Sequence, residues 1–527
     1  MRTFLFNIIK MKKLKLVSLA IAMACATPSL AGGLLTNTNQ HVAFNRMMSR
    51  EASIGIDGVY YNPAGVVFMG EGKHLAINWQ LAYQTRSIEN DYPLFTNNVN
   101  NPTTPREFKG KAFAPVIPSF QYAYNKGRWS LQAGFALTGG GGKCTFDDGL
   151  GSFEKIVAET ALAACQLAGA VDQVAAQYGV PAVFTSDKSF GKEGKYSYNS
   201  YMHGRQYYYG LSLGAAYKFS DNFSAFAGVR GVYASTNYYG YVENIKVGAM
   251  PLYMVLDPTK ETAANIELSC DQSGVGFTPI IGVDFKTGKW NFAAKYEFKT
   301  RIRLKNKSVN QAPSIGNLPD NLRNAYIAGG VPEAAADAII GNPVIQGAMG
   351  QLKTQFDAKL EEAIGEYEDG KKIAGDIPAY LALGVGYSPV NAVRVNVGFH
   401  WFDDKHATSY NNRQEKLDRG TLEYNAGVEV DVNKKITLST GWQNTNYGLS
   451  DEYMDDKSFV VSSNSAAIGG VYHINKKMDL NVAYFHTFYQ HKKTSEKVQL
   501  TEQKSINYSS DYTRNNNVFA VGLDINF

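Results

Sequence analysis

Residues able to do covalent or metal chemistry are sparse in this 527-residue chain and poorly spaced for it. Its 8 histidines are scattered, with no His-x-x-x-His pair and no Cys-x-x-Cys-His, so neither a metal ion nor covalent haem is expected. The run Thr138-Gly139-Gly140-Gly141-Gly142-Lys143-Cys144 has the glycines of a phosphate loop. Leu137 stands where the first glycine belongs and Cys144 where Ser or Thr should follow the lysine, so the run reads as a flexible strand exit. The acid pairs Glu361-Glu362 and Asp455-Asp456 fall on loops, where a solvated surface outweighs acid–base work. No Ser/His pair can be placed on one lumen face. The chain is expected to have no catalytic residue, no metal and no cofactor.

What remains is positional. Asn62-Pro63 initiates a turn and Ala64-Gly65 keeps it small. Arg46 and Arg50 lie shortly before it, where they either orient a ligand carboxylate or serve as structural arginines. The elements around this stretch must decide whether it is an ordinary turn or a working part.

Met11-Lys12-Lys13-Leu14-Lys15, then an apolar run to Ala26 and Ser29-Leu30-Ala31, make residues 1–31 an expected signal peptide, with Met1 or Met11 as its start. A lipidated Cys25 is the weaker alternative. The signal holds five basic residues and no acid, so Lys+Arg falls from 52 to 47 against Asp+Glu 47. A neutral mature chain gives nucleic-acid binding no support. Aromatics at 13%, with 33 Tyr, 28 Phe and 50 Gly, suit strand walls with aromatic girdles. Outside the signal no apolar run reaches the ~20 residues of a spanning helix, so any membrane span must be built of strands.

Residues 32–72 lack sustained period-2 alternation. From Lys73 on, amphipathic blocks follow one another. In 517–527, Phe519, Val521, Leu523, Ile525 and Phe527 share one face and Val518, Ala520, Gly522, Asp524 and Asn526 the other. Val393, Val395, Val397, Phe399 and Trp401 oppose Arg394, Asn396, Gly398 and His400; Trp129, Leu131, Ala133, Phe135 and Leu137 oppose Ser130, Gln132, Gly134 and Ala136. Fourteen such blocks can be counted, at about 73–86, 113–126, 128–138, 203–219, 222–242, 274–287, 289–305, 377–389, 391–405, 419–433, 435–448, 457–474, 477–491 and 514–527. Their connections alternate between tight turns and longer loops, notably 139–202, 243–273 and 306–376. This is the pattern of an all-β, 14-stranded antiparallel transmembrane barrel, with short periplasmic turns and extended outer loops. A lumen of that size has room for 32–72 as an N-terminal hatch.

Two outer loops carry helical periodicity. Ser152 is placed to cap a helix running towards Tyr178, and Pro343 to open one that stops near Gly370; their apolar stripes must pack together or offer themselves to a ligand. Cys144, Cys165 and Cys270 all fall in the outer loops, which leaves three possible disulfide pairings open.

Two segments resemble the FadL family of outer-membrane transporters for long-chain fatty acids and other hydrophobic compounds. They are 51–69, EASIGIDGVYYNPAGVVFM, in which Asn62, Pro63 and Ala64 match the family's hatch motif, and 114–124, APVIPSFQYAY. The resemblance implies a hatch-closed barrel in the outer membrane, probed from outside by helical loops. It implies a hydrophobic small-molecule ligand released sideways into outer-membrane lipid through a kink in the third strand, with Gly134 or Gly139 as the distorted position. Phe527 at the end of an amphipathic strand resembles the signal read by barrel-assembly machinery. The chain is expected to be a monomer. A diffusion porin for polar solutes and a surface adhesion or antigen scaffold are the alternatives.

Overall fold

The computed structural model describes residues 34–501 and 504–527, so the signal-peptide reading lies outside the described residues. Eighteen strand segments form one antiparallel sheet. Four of them are accessory: Met250–Pro251, Lys372–Ala374, Lys492–Thr501, and Arg303–Gln311, which continues a span already begun. Fourteen strands therefore make up the wall. They are β1 (Gly72–Asp91), β2 (Arg106–Lys126), β3 (Trp129–Phe146), β4 (Tyr196–Lys218), β5 (Phe223–Val247), β6 (Ile266–Thr287) and β7 (Trp290–Glu297, continued by Arg303–Gln311). β8 (Tyr380–Val390), β9 (Val393–Phe402), β10 (Thr421–Asn433), β11 (Ile436–Asn446), β12 (Ser463–Asn475), β13 (Met478–Tyr489) and β14 (Lys504–Asn526) complete it. β1 pairs with β14 from His74↔Asn526 to Asp91↔Ser509, which closes the barrel.

Alternation builds the wall because one face meets hydrocarbon and the other a polar interior. Ile77, Trp79, Leu131, Val397 and Phe519 are exposed on the outside, while Asn78, Gln80, Gln132, Asn396 and His400 are buried inside. Several strands outrun the amphipathic blocks. β4 starts at Tyr196 rather than near 203, β3 runs on to Phe146, and β14 starts at Lys504 rather than 514. Above the bilayer both faces meet water or protein, so the strand persists where the hydropathy signal fades. The expected block at 289–305 is interrupted: β7 breaks after Glu297 and resumes at Arg303, with Thr300 bridging Ile377 across the break.

The helices are α1 (Val42–Met47), α2 (Gly58–Tyr61), α3 (Gly151–Ala176), α4 (Tyr253–Leu256), α5 (Leu318–Ala328), α6 (Glu333–Ile340) and α7 (Pro343–Ile364). α1 and α2 lie in the lumen; the others form an apolar cap on the outer loops, centred on Phe153, Val171, Phe184, Tyr326 and Ile345. Ser152 does not cap α3. It lies inside the first turn, where its backbone N–H donates to Asp456 Oδ2 at 2.8 Å from a distant loop. Two cysteines also depart from expectation: Cys144 and Cys270 sit on strand extensions, Cys165 on α3, and all three are buried free thiols.

Candidate functional site

The lumen is filled by residues 34–71. Many of their backbone carbonyls are paired within the segment, and inward polar side chains of the wall supply partners to others, as buried carbonyls require. Ser119 Oγ and Gln121 Nε2 donate to Gln40 O at 2.7 and 2.9 Å, Asn291 Nδ2 to Ala52 O at 2.8 Å, and Lys295 Nζ to Tyr60 O at 2.6 Å.

The Asn62-Pro63-Ala64 turn is seated against β3, β5 and β6. Asn62 Nδ2 donates to Asp284 Oδ2 at 2.6 Å while its Oδ1 accepts from Gly65 N at 3.1 Å. Gln132 Nε2 donates to Pro63 O and Ser224 Oγ to Ala64 O, both at 2.7 Å. A Cβ at Gly65 would lie 2.4 Å from Asn62 Nδ2, so any larger residue there would push the Asn62 side chain from its place.

Ion pairs clamp the other side of the segment. Arg46 binds Glu429 and donates to Ser439 Oγ at 3.0 Å. Arg50 spans Asp57, at 2.7 and 3.1 Å, and Glu429 at 3.0 Å. Both guanidiniums are thus occupied by protein carboxylates, and a ligand carboxylate at either would have to displace Glu429 or Asp57. Both ring nitrogens of His400 face carboxylates, Glu51 Oε1 at 2.7 Å and Glu423 Oε2 at 2.8 Å, the arrangement of an imidazolium donating twice. Glu297 accepts from Arg230 and from Lys295, whose Nζ lies 3.9 Å from the Tyr60 ring centroid. Sequence reasoning put His400 on the inner face but found none of Glu423, Glu429, Lys295 or Glu297. Their inward parity was legible; the lumenal partners of Glu429 and Lys295, Arg46 and Tyr60, lie hundreds of residues away.

The wall is irregular at one place beside this segment. β2 and β3 pair from Lys126↔Trp129 to Phe120↔Phe135 and again from Ala112↔Cys144, leaving 113–119 and 136–143 unpaired with each other. Pro115 and Pro118 lie in the unpaired part of β2 and lack the N–H a ladder needs. Against β4, β3 shifts register at Leu137/Gly139 and at Gly140/Gly142. Gly140 and Gly142 have φ of +74° and +108°, backbone that favours glycine. Gly134 remains in register with Gln121 and Ser212; Gly139 lies at the first shift.

Here β3 bends into the lumen. Leu137, on the expected outer face, is only 6% exposed, against 53% for Trp129 on the same parity. The freed β3 groups are taken by the start of the lumenal segment. Asn37 N donates to Thr138 O at 3.0 Å, Gly140 N to Leu35 O at 3.3 Å, and Asn37 Nδ2 to Gly140 O at 2.6 Å. The sequence Gly210-Leu211-Ser212-Leu213-Gly214 has the spacing of a nucleophile elbow, but it lies within regular β4, and Ser212 Oγ accepts from Arg230 Nε at 3.0 Å.

Three spaces adjoin these parts. In the cap, Leu167, Val171, Phe184, Leu322, Leu352 and Phe356 help line an apolar cavity of about 80 Å³. A mixed chamber of about 390 Å³ includes Leu34, Leu35, Tyr208, Leu304, Asp404 and Tyr410. Beside Tyr60, Gly134 and Arg230 the hollow shrinks to about 10 Å³, no more than a water's room.

These features define a transmembrane β-barrel of the outer-membrane type whose lumen is filled by its own N-terminal region. No family model and no curated protein matches the sequence. Among solved structures, it is similar to a Pseudomonas aeruginosa FadL homologue, 14% identical, with 94% of this chain and 100% of that one covered and a TM-score of 0.59. It is also similar to a TodX deletion mutant described as a monoaromatic hydrocarbon channel, 14% identical, covering 92% and 98%, with a TM-score of 0.50. The chain has the FadL-type fold.

Proposed function

We propose that this barrel takes up a hydrophobic small molecule, such as a long-chain fatty acid or a monoaromatic hydrocarbon, across the outer membrane. The ligand is collected among the loop helices, passes to the lumen beside the N-terminal hatch, and leaves sideways into lipid. One observation carries the reading: the wall is unpaired between 113–119 and 136–143, and residues 35–37 of the hatch fill the inner side of that gap. Lateral release suits such a cargo, because apolar surface loses about 25 cal/mol per Å² of favourable transfer whenever it is returned to water. The fold likeness to hydrocarbon channels supports the reading, as does the apolar lining of the cap cavity.

The test is a staple across the gap. A Cβ at Gly142 would lie 3.4 Å from that of Ala114, close to disulfide range. A side chain at Gly142 is strained at φ +108°, so the reduced double variant Ala114→Cys/Gly142→Cys is the reference: it is expected to take up labelled ligand as a folded, heat-modifiable barrel and to lose that uptake when oxidised. Equal uptake in the oxidised and reduced forms of a stapled barrel would count against lateral release.

A further inference from the structure

Buried arginines in the lumen follow a rule with two exceptions. Arg46, Arg50 and Arg230 each face a carboxylate. Arg86 on β1 and Arg514 on β14 do not. They are register partners across the seam that closes the barrel, they are 0% and 5% exposed, and both lie against the Phe459 ring, at 5.9 and 4.9 Å from its centroid. Arg86 Nε donates to Gln84 Oε1 at 3.1 Å. Arg86 Nη1 and Nη2 have no acceptor among the described residues, and Arg514 has the phenols of Tyr489 and Tyr447 beside it but no carboxylate. Asn516, the next inward position of β14 and fully buried, adds an unpartnered Nδ2 and an unpartnered Oδ1.

The cluster is thus rich in donors, without a carboxylate and doubly positive. A guanidinium does not shed its proton in a protein, and a buried charge left unpaired is strongly destabilising. Placing two side by side adds mutual repulsion in a medium that screens poorly. One group answers all three features, an oxyanion that accepts from both planar forks at once. We propose that Arg86 and Arg514, with Asn516, form a binding site for an oxyanion: a carboxylate, sulfate or phosphate group. It arrives either as a free anion or as the head of an amphiphile. For the second source the neighbourhood is suitable, since beyond Gln84 and Asn516 the following inward positions, Ala82 and Val518, belong to an apolar cluster that reaches Ile117 and Leu137 at the wall gap. The site stands independently of the transport reading, because it is tested by binding to the purified protein rather than by uptake.

The experiment titrates the purified barrel, in non-ionic detergent, with inorganic phosphate, decanoate and decan-1-ol, and repeats this with Arg86→Gln, Arg514→Gln and the double variant. The double variant is expected to bind the oxyanion probe at least tenfold more weakly with decan-1-ol binding unchanged. Loss of phosphate binding assigns the site to free anions. Loss of decanoate binding, with phosphate inert towards the parent, assigns it to an amphiphile's head. Should a glutamine variant fail to fold, Arg514→Lys keeps the charge but not the fork, and intermediate affinity is expected. The proposal is overturned if the parent binds neither phosphate nor decanoate, or if the folded variants bind both as the parent does. It is likewise overturned if the double variant merely melts at higher temperature with anion affinity intact.

Discussion

The lumen and the cap are two interiors stacked in one molecule, and they cohere by different means. Around residues 34–71 the contacts are directional: Arg46 and Arg50 on Glu429, His400 between Glu51 and Glu423, and the carbonyls of Pro63 and Ala64 on Gln132 and Ser224. Above, α3, α5 and α7 meet through Leu167, Val171, Leu322, Leu352 and Phe356 around an apolar cavity. A directional seat has one good position and loses heavily when a partner is removed. An apolar contact surface tolerates rearrangement, because its stabilisation follows area rather than angle. The lumenal segment is therefore held in one defined arrangement, while the cap can accommodate.

The sharpest way to break this contrast is Glu429→Ala. It strands Arg46 without a carboxylate in a buried site, at about 3–5 kcal/mol, leaves Arg50 with Asp57 alone, and should unseat the lumenal segment. The parent is expected to be nearly silent in planar bilayers and the variant to pass a steady ion current; a silent, folded variant would mean that the ion pairs are dispensable.

Leu322→Ala in the cap should cost about 2–5 kcal/mol locally. Faster proteolysis of the outer loops is expected with no new conductance, since the cap does not hold the segment in place. If current appeared, the two interiors would be coupled.

Asn62→Ala removes the donor to Asp284 and the acceptor of Gly65 N, worth about 1–3 kcal/mol for the buried group left unsatisfied. Uptake should fall several-fold while heat-modifiable migration is kept. Normal uptake would reduce this turn to a structural one.

The smallest effect expected is a response of the cap to pH. Burial pushes the Glu366 carboxyl up to about 7, only partly offset by Lys457 and Arg413. The folded loop therefore binds this proton more tightly than the unfolded loop, whose carboxyl titrates near 4.5, and its stability falls as pH rises from about 4.5 to 7. Amide exchange around 365–371, corrected for intrinsic rates, should quicken between pH 5 and 8. A constant corrected rate would remove Glu366 from the account.

Much of the wall was legible because a strand that separates lipid from a polar lumen must alternate, and residues 393–401 and 517–527 do so without exception. Strand ends were less legible. Tyr196–Lys218 and Lys504–Asn526 continue above the bilayer, where no hydrocarbon enforces the pattern. Helix α3 was visible from its apolar spacing, but its first turn is capped by Asp456, some three hundred residues downstream, which no local pattern announces. The same holds for Leu137: its parity assigns it outside, and the inward bend of β3 puts it inside.

By itself, then, the sequence determined the alternating wall, the number of its strands, the turn at Asn62-Pro63-Ala64 and the prolines that weaken β2, because each of these is set within a few residues by side-chain parity or backbone stereochemistry. Only the tertiary structure decided which carboxylate holds which arginine, where the wall loses its pairing, and that Arg86 and Arg514 meet without a carboxylate. Such pairings depend on register around a closed sheet, and closure brings together residues as distant as the first strand and the last.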